Sequence, residues 1–413
     1  MNTTLSAYAG ITGDGVIDQL QQLSKPLRGK RVVHVNSTRV GGGVAEILNK
    51  LIPLMNELDI ETSWEVISGE SEFYQCTKSF HNALQGNRVE IPGNLYKVYE
   101  ETNRQNMERL RPVLKDADVV IIHDPQPALF LNYCPERTGV WVWRCHIDVS
   151  HPYRPVWKYL REFVNAYDAS IFSLANFSQR LKHPQYLIAP SIDPLSEKNM
   201  EISEKEIRAV YAEFDIDPKR PLITQVSRYD RFKDPIGVIY AYRLAKRFVP
   251  DLQLVLAGGG ATDDPEGEAV LKEVQTAAKG DDGIHILLLP SDAHRKINAL
   301  QRVSDIVLQK SIKEGFGLTV TEAMWKGKPV IGGNAGGIRL QVVDHHTGFL
   351  VDTPEGAALR MRYLFFNRDK MKAMGEKAHQ TVRDNFLITR HLREYLTMMV
   401  ALLHKNHDRI ELK

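Results

Sequence analysis

Nine short runs of apolar, largely β-branched residues recur along this 413-residue chain, at 31–35, 119–122, 140–143, 171–174, 223–226, 252–257, 284–289, 306–308 and 330–331. Each is followed by Gly, Pro or polar residues and then by a stretch with helical periodicity. That alternation belongs to α/β folds with parallel strands buried on both faces. Nine strands are too many for one ordinary doubly wound unit, and 413 residues exceed what one hydrophobic core usually supports. The natural break is Ala189-Pro190-Ser191-Ile192-Asp193-Pro194-Leu195-Ser196-Glu197-Lys198-Asn199, where two prolines and several polar residues interrupt the pattern as a linker does. The expected architecture is therefore α/β, with two Rossmann-like domains, 1–199 and 200–375, facing each other across a deep interdomain cleft. Residues 376–413 are charge-rich without a strand signal, and read as a C-terminal helical element able to pack across the domains.

Ligands of open α/β sheets bind beyond the carboxyl ends of the strands, so the residues after each apolar run carry the functional signal. The most informative is Glu314-Gly315-Phe316-Gly317-Leu318-Thr319-Val320-Thr321-Glu322. A loop-forming Gly-Phe-Gly follows the first carboxylate, and helix-forming residues at 319–326 place Glu322 on an early turn. Loop amides at a helix start attract anions, while carboxylates accept hydrogen bonds from sugar hydroxyls, so this stretch suits a polyhydroxyl ligand carrying phosphate. The plainer alternative is a surface helix with Glu322 paired to Lys326 at i, i+4. After the run at 223–226 come Ser227-Arg228-Tyr229-Asp230-Arg231-Phe232-Lys233. Arg228 offers a planar fork and Lys233 a point charge, together able to neutralise a diphosphate leaving group. Surface pairs Arg228–Asp230 and Lys233–Asp234 are the alternative. After the first run, Gly41-Gly42-Gly43 lead into an expected helix at 44–58. Glycines allow backbone to approach a ligand closely, although the same run also serves as a plain strand-to-helix turn.

In the first half, His123-Asp124-Pro125-Gln126-Pro127 and Arg144-Cys145-His146-Ile147-Asp148 each follow a strand, and His81-Asn82-Ala83-Leu84-Gln85-Gly86 is read as a loop. Clustered imidazoles, amides and carboxylates suit a sugar acceptor, whose buried hydroxyls must each find a partner. No trio has metal-site spacing. The formal net charge is +2 with no long basic run, which points away from nucleic acid and anionic membranes and toward a small ligand. Cys76, Cys134 and Cys145 show no disulfide framework or zinc spacing. Residues 1–10 lack a basic start and an apolar core, and no apolar stretch reaches the roughly 18 residues of a membrane span, so a cytoplasmic protein is expected.

Taken together, these residues resemble the retaining, two-domain glycosyltransferases of GT-B type, the broad group that includes sucrose synthase and glycogen synthase-like enzymes. The glycine loop, Arg228 with Lys233, the 314–322 stretch, Gly327-Lys328-Pro329-Val330 and Gly336-Gly337 carry the likeness, in the expected order. Within the group, the chain looks closest to the trehalose glycosyltransferring synthases, of glycosyltransferase group 1, family 4. His34-Val35-Asn36-Ser37-Thr38, Phe80-His81-Asn82-Ala83-Leu84-Gln85-Gly86, the 123–127 and 143–148 segments and the 190–199 linker look like that subfamily's signatures. One departure is Gly336-Gly337-Ile338-Arg339-Leu340, where Pro and Glu commonly follow the glycine pair, and no role is assigned to residues 339 and 340.

The resemblance implies roles. Arg228 and Lys233 would bind the donor diphosphate, Glu322 the ribose hydroxyls, and Glu314 with the amides of Gly315, Phe316, Gly317 and Leu318 the donor glucose. Gly42 and Gly43 would approach the phosphate from the opposite domain. His146, with Arg228, Lys233 and Glu314, would serve at the reacting centre. His81, Asn82, Gln85, Asp124, Gln126, Arg144 and Asp148 would line the acceptor side. The implied reaction joins glucose from an NDP-glucose to free glucose with retention, giving α,α-trehalose and NDP, with no tightly bound cofactor. Mg²⁺ is an optional aid to the diphosphate, and a homodimer is a family-level expectation. Three rivals stand beside this reading: a different acceptor such as glucose-6-phosphate, with Arg39, Arg144 and Arg154 as candidate cations; a nucleotide-sugar binding module without turnover; and a UDP-sugar epimerase of similar architecture.

Overall fold

The computed structural model describes residues 4–40, 42–259 and 265–404, and Gly41 of the glycine loop lies outside them. The chain divides into two compact units, 1–190 with 388–413, and 191–387. Each is built on a six-stranded sheet in which every pair is parallel.

In the first unit the strands are β1 (Arg31–Asn36), β2 (Glu61–Val66), β3 (Val119–His123), β4 (Val140–Arg144), β5 (Ala169–Phe172) and β6 (Gln185–Leu187), in the order β2-β1-β3-β4-β5-β6. In the second they are β7 (Leu222–Val226), β8 (Gln253–Gly258), β9 (Ile284–Leu288), β10 (Ile306–Gln309), β11 (Val330–Gly333) and β12 (Gly348–Val351), in the order β12-β11-β10-β7-β8-β9. Every residue of β3, β7 and β8 is buried, which explains their uninterrupted apolar character: helices cover both faces, so no side of the strand needs polar residues. In both sheets the order reverses beside the central strands β1 and β7, the switch point where ligands of such folds bind.

Two boundaries differ from the sequence-based expectation. The break falls after Pro190 instead of after residue 199, because 191–199 packs onto the second unit: Trp325 Nε1 donates to the Asn199 carbonyl at 3.1 Å, and Ile192 bridges to Leu387. The helical C-terminal segment is shared out. Helix Arg368–Asn385 stays with the second unit, whereas helix Ile388–Leu403 belongs to the first. Arg390 anchors that return, donating to the carbonyls of Ala189 and Pro190 at 2.8 Å each, and His391 Nδ1 donates to the Ala189 carbonyl at 3.0 Å.

Candidate active site

In the second unit, the chain leaves β7 through Arg228 and enters a single tight turn, Arg231–Lys233. Asp230 caps that turn by accepting from the Phe232 amide at 2.7 Å, and it also holds Arg228 Nη2 at 3.2 Å. The Arg228 side chain is 67 % exposed, so this pair holds the guanidinium only weakly and leaves it able to turn to an anion. Lys233 is placed differently. Its ammonium donates to Glu314 Oε2 at 2.5 Å, and Ser311 Oγ donates to the same oxygen at 3.1 Å. The Lys233–Asp234 pair does not form, because Asp234 caps helix Pro235–Lys246 through the Gly237 amide and pairs with Lys310. The two groups assigned to donor phosphate and donor sugar are thus each other's counter-ion.

The 314–317 loop is clamped from behind. Gly336, at φ +45°, lies so close that a Cβ there would stand 1.6 Å from the Glu314 carbonyl oxygen, and one on Gly337 would stand 2.4 Å from Phe316 Cα. Gln341 completes the clamp, donating to the carbonyls of Phe316 at 2.6 Å and Gly337 at 3.2 Å while accepting from Thr321 Oγ1 at 2.5 Å. Gly317, at φ +85°, then opens helix Leu318–Trp325 with no side-chain cap, leaving its first amides available to an anion.

Glu322 is in that helix and is 2 % exposed. Its Oε1 lies 3.8 Å from Lys198 Nζ, while Oε2 is buried without a hydrogen-bond partner. Lys326 does not reach the carboxylate. It donates instead to Asn199 Oδ1 at 3.2 Å and to the Glu322 carbonyl at 3.1 Å, and burial lowers its ammonium pKa to about 7. The surface-helix alternative therefore fails for Glu322. A buried carboxylate oxygen with no partner is costly unless a ligand supplies donors, as a pair of vicinal hydroxyls does.

In the first unit, Gly42, at φ +76°, and Gly43 begin helix Gly42–Glu57 after β1. His81 and Asn82 do not lie in a loop. They form the last turn of helix Ser71–Leu84, which Gln85 ends and Gly86, at φ +95°, leaves; the Gly86 amide closes the turn on the Ala83 carbonyl. Asp124 follows β3 at φ +62° and accepts the His146 amide at 2.7 Å, tying the β3 and β4 ends together. Burial raises the Asp124 carboxyl to about 6, against the lowering by that amide and by Arg144. Asp148 accepts from the Ser150 amide and hydroxyl, at 3.0 and 2.6 Å. Gln126 is half-buried beside them in sequence. Arg144 points inward: it is fully buried, reaches Ser173 Oγ at 3.4 Å, and leaves Nε and Nη1 without partners. The histidines of adjacent strands meet, His34 with His123 and His123 with His146.

Sequence reasoning missed Ser311, Gln341, Lys198, and the linkage of His34 and His123 to His146. The last had a visible signal, a histidine in or just beyond three strands. The others contact the site only through folding. Among the described residues, no group of three or more His, Cys, Asp or Glu could hold a metal ion, and no helix is long and apolar enough to cross a membrane.

Two parallel α/β units, one carrying a lysine–carboxylate pair and a glycine-clamped anion loop at its strand ends, define a glycosyltransferase of the GT-B class. The fold agrees with that of a solved trehalose-6-phosphate synthase, OtsA, at a TM-score of 0.73 and 15 % identity over 90 % of this chain and 99 % of that one. Residues 34–179 match the family described as trehalose synthase, N-terminal domain, and residues 207–381 match glycosyl transferases group 1. The chain is 46 % identical to the trehalose synthase of Thermococcus litoralis over 96 % of both chains, and 41 % identical to that of Rubrobacter xylanophilus over 97 % of both. It belongs to the trehalose synthase family.

Proposed function

We propose that the protein transfers glucose from an NDP-glucose to free glucose, forming α,α-trehalose and NDP, reversibly and with retention at the donor carbon. The observation that carries this reading is the Lys233–Glu314 pair on the clamped loop. A diphosphate drawing Lys233 toward itself frees the Glu314 carboxylate to accept from donor-sugar hydroxyls. Arg228 adds a second cation, and Glu322 Oε2 takes a ribose hydroxyl.

The acceptor hydroxyl attacks the anomeric carbon from the face the diphosphate leaves. The carbon–phosphate oxygen bond breaks, and the hydroxyl proton passes to a departing phosphate oxygen. No protein nucleophile is required. Charge building on the leaving group is met by the loop amides and by Arg228 and Lys233 once these have turned to the diphosphate, and such charge stabilisation is usually the largest single contribution to catalysis of this kind.

Free glucose is favoured over glucose-6-phosphate because two of the three candidate arginines are directed elsewhere. Arg39 donates to the Trp64 carbonyl at 2.6 Å and stacks on its ring, and Arg144 is fully buried. The test is to incubate the protein with several NDP-glucose donors and either glucose, glucose-6-phosphate or water, following NDP release and the product by NMR. Trehalose with glucose is the expected result. NDP release without a disaccharide, or disaccharide only from the phosphorylated acceptor, would overturn the proposal.

A further inference from the structure

Three adjacent strands bring three imidazoles into one line. His34 lies in β1, His123 closes β3, and His146 stands two residues beyond β4. His34 Nδ1 is 3.0 Å from His123 Nε2, and His123 Nδ1 is 2.9 Å from His146 Nε2. The rings stack in sequence, with centroids 5.3 and 5.2 Å apart. His34 and His123 are buried and His146 is half-buried.

A neutral imidazole has one N–H and one lone pair, so each link in such a line dictates the next. Only two arrangements exist: every proton on Nδ1, or every proton on Nε2. The second would leave an N–H at His34 Nε2, which is buried and has no partner. Orphaned buried donors are rarer and costlier than bare acceptors. Arg144, whose Nε and Nη1 are also buried without acceptors, lies near His123 and His146 and supplies no acceptor to the line. The first arrangement leaves only a lone pair at that end.

We propose that His34 and His123 are positioning residues that hold His146 as its Nδ1–H tautomer, so that the ring offers the sugar a donor and never an acceptor. This rests on the reading of His146 as a group beside the reacting sugar. The line is enclosed by Asp124 after β3, by Arg144 from β4, and by His391 and Tyr395 from helix Ile388–Leu403; Tyr395 stacks on both His34 and His391. The rings stay neutral in this setting. Burial lowers His34 to about 3 and holds His123 and His146 well below the ordinary histidine range, with Arg144 and the neighbouring imidazoles adding to it. The Nδ1–H form is the reverse of the tautomer a neutral histidine favours in water, which makes the assignment easy to test.

The experiment is ¹⁵N NMR of the full-length protein with ¹⁵N-labelled histidine, reading the tautomer of each ring between pH 6 and 8. The expected result is Nδ1–H for His34, His123 and His146, with none of them charged. His146 as Nε2–H, as a mixture, or charged would overturn the proposal. In His123→Leu, His146 is expected to shift toward Nε2–H, with the kcat of transfer falling about tenfold and the KM for the nucleotide sugar unchanged. An unchanged His146 tautomer in a folded variant would also overturn it. If that variant does not fold, the wild-type tautomers still decide. Absence of any glucosyl transfer with Nδ1–H intact would count against the proposed function alone.

Discussion

Acidification should destabilise the first unit through His34, and the size of the effect follows from its burial. The unfolded chain titrates this residue near 6.5, whereas the folded ring, stripped of water and unpaired at Nε2, does so near 3. Below pH 6.5 the unfolded state therefore binds the extra proton, and folding stability present at neutral pH is lost as the pH falls. The slope is about 1.4 kcal/mol per pH unit, or about 2 kcal/mol between pH 6.5 and 5. His123, His146 and His391 shift the same way for the same leading cause. Asp124 opposes them: its folded value of about 6 exceeds the unfolded 3.8, so protonation from pH 6 to 5 returns about 1.4 kcal/mol. The test compares wild type with His34→Asn, which keeps a polar atom near Nδ1 but cannot charge. Denaturant titrations at pH 7 and pH 5, followed by tryptophan fluorescence, report mainly on the first unit, since Trp64, Trp141, Trp143 and Trp157 all lie there. His34→Asn should be less stable at pH 7, and the gap should narrow by about 2 kcal/mol at pH 5. Parallel losses in the two proteins would refute the reasoning.

Three further outcomes are expected in the second unit. Glu314→Ala and Arg228→Ala should each leave a folded protein whose transfer rate falls by about two orders of magnitude, checked by circular dichroism and NDP release; near-normal activity in either would count against the site. Glu322→Gln should raise the KM for the nucleotide sugar by about tenfold with little change in kcat, because a ribose hydroxyl loses a charged acceptor; a pure kcat effect would point elsewhere. Gly336→Ala combines a left-handed φ with a Cβ in collision with the Glu314 carbonyl, so it should cost more than about 2 kcal/mol in denaturant titration and displace the 314–317 loop; wild-type stability would show that the clamp is not needed.

The legible part of this fold is its buried interior. Strands such as β3, β7 and β8 are covered on both faces, so their apolar runs announce themselves without a partner being known. The strands missed in the sequence were β2, β6 and β12, each at the edge of its sheet. Glu61–Val66 buries only Thr62 and Trp64, and Gln185–Leu187 is too short and too exposed to stand out. Edge strands pair on one side only, so fewer of their side chains must be apolar.

The same division runs through the site. Amino-acid order alone was enough to single out Arg228, Lys233, Glu314 and Glu322 as candidates, because strand ends and glycine loops are local events and the chemistry of each side chain is its own. Of the charge pairs the sequence offered, Arg228–Asp230 forms as a local contact, whereas the other partners were settled only by folding. Lys233 bypasses the adjacent Asp234 for Glu314, Lys326 passes over the Glu322 carboxylate for Asn199, and His34 joins His123 across neighbouring strands. Each of these pairings except the middle one spans some 80 to 90 residues, and the middle one spans 127. Hydrogen bonds and ion pairs act over a few ångströms, so partners so far apart along the chain are selected by the packing of the sheets, which no local pattern encodes.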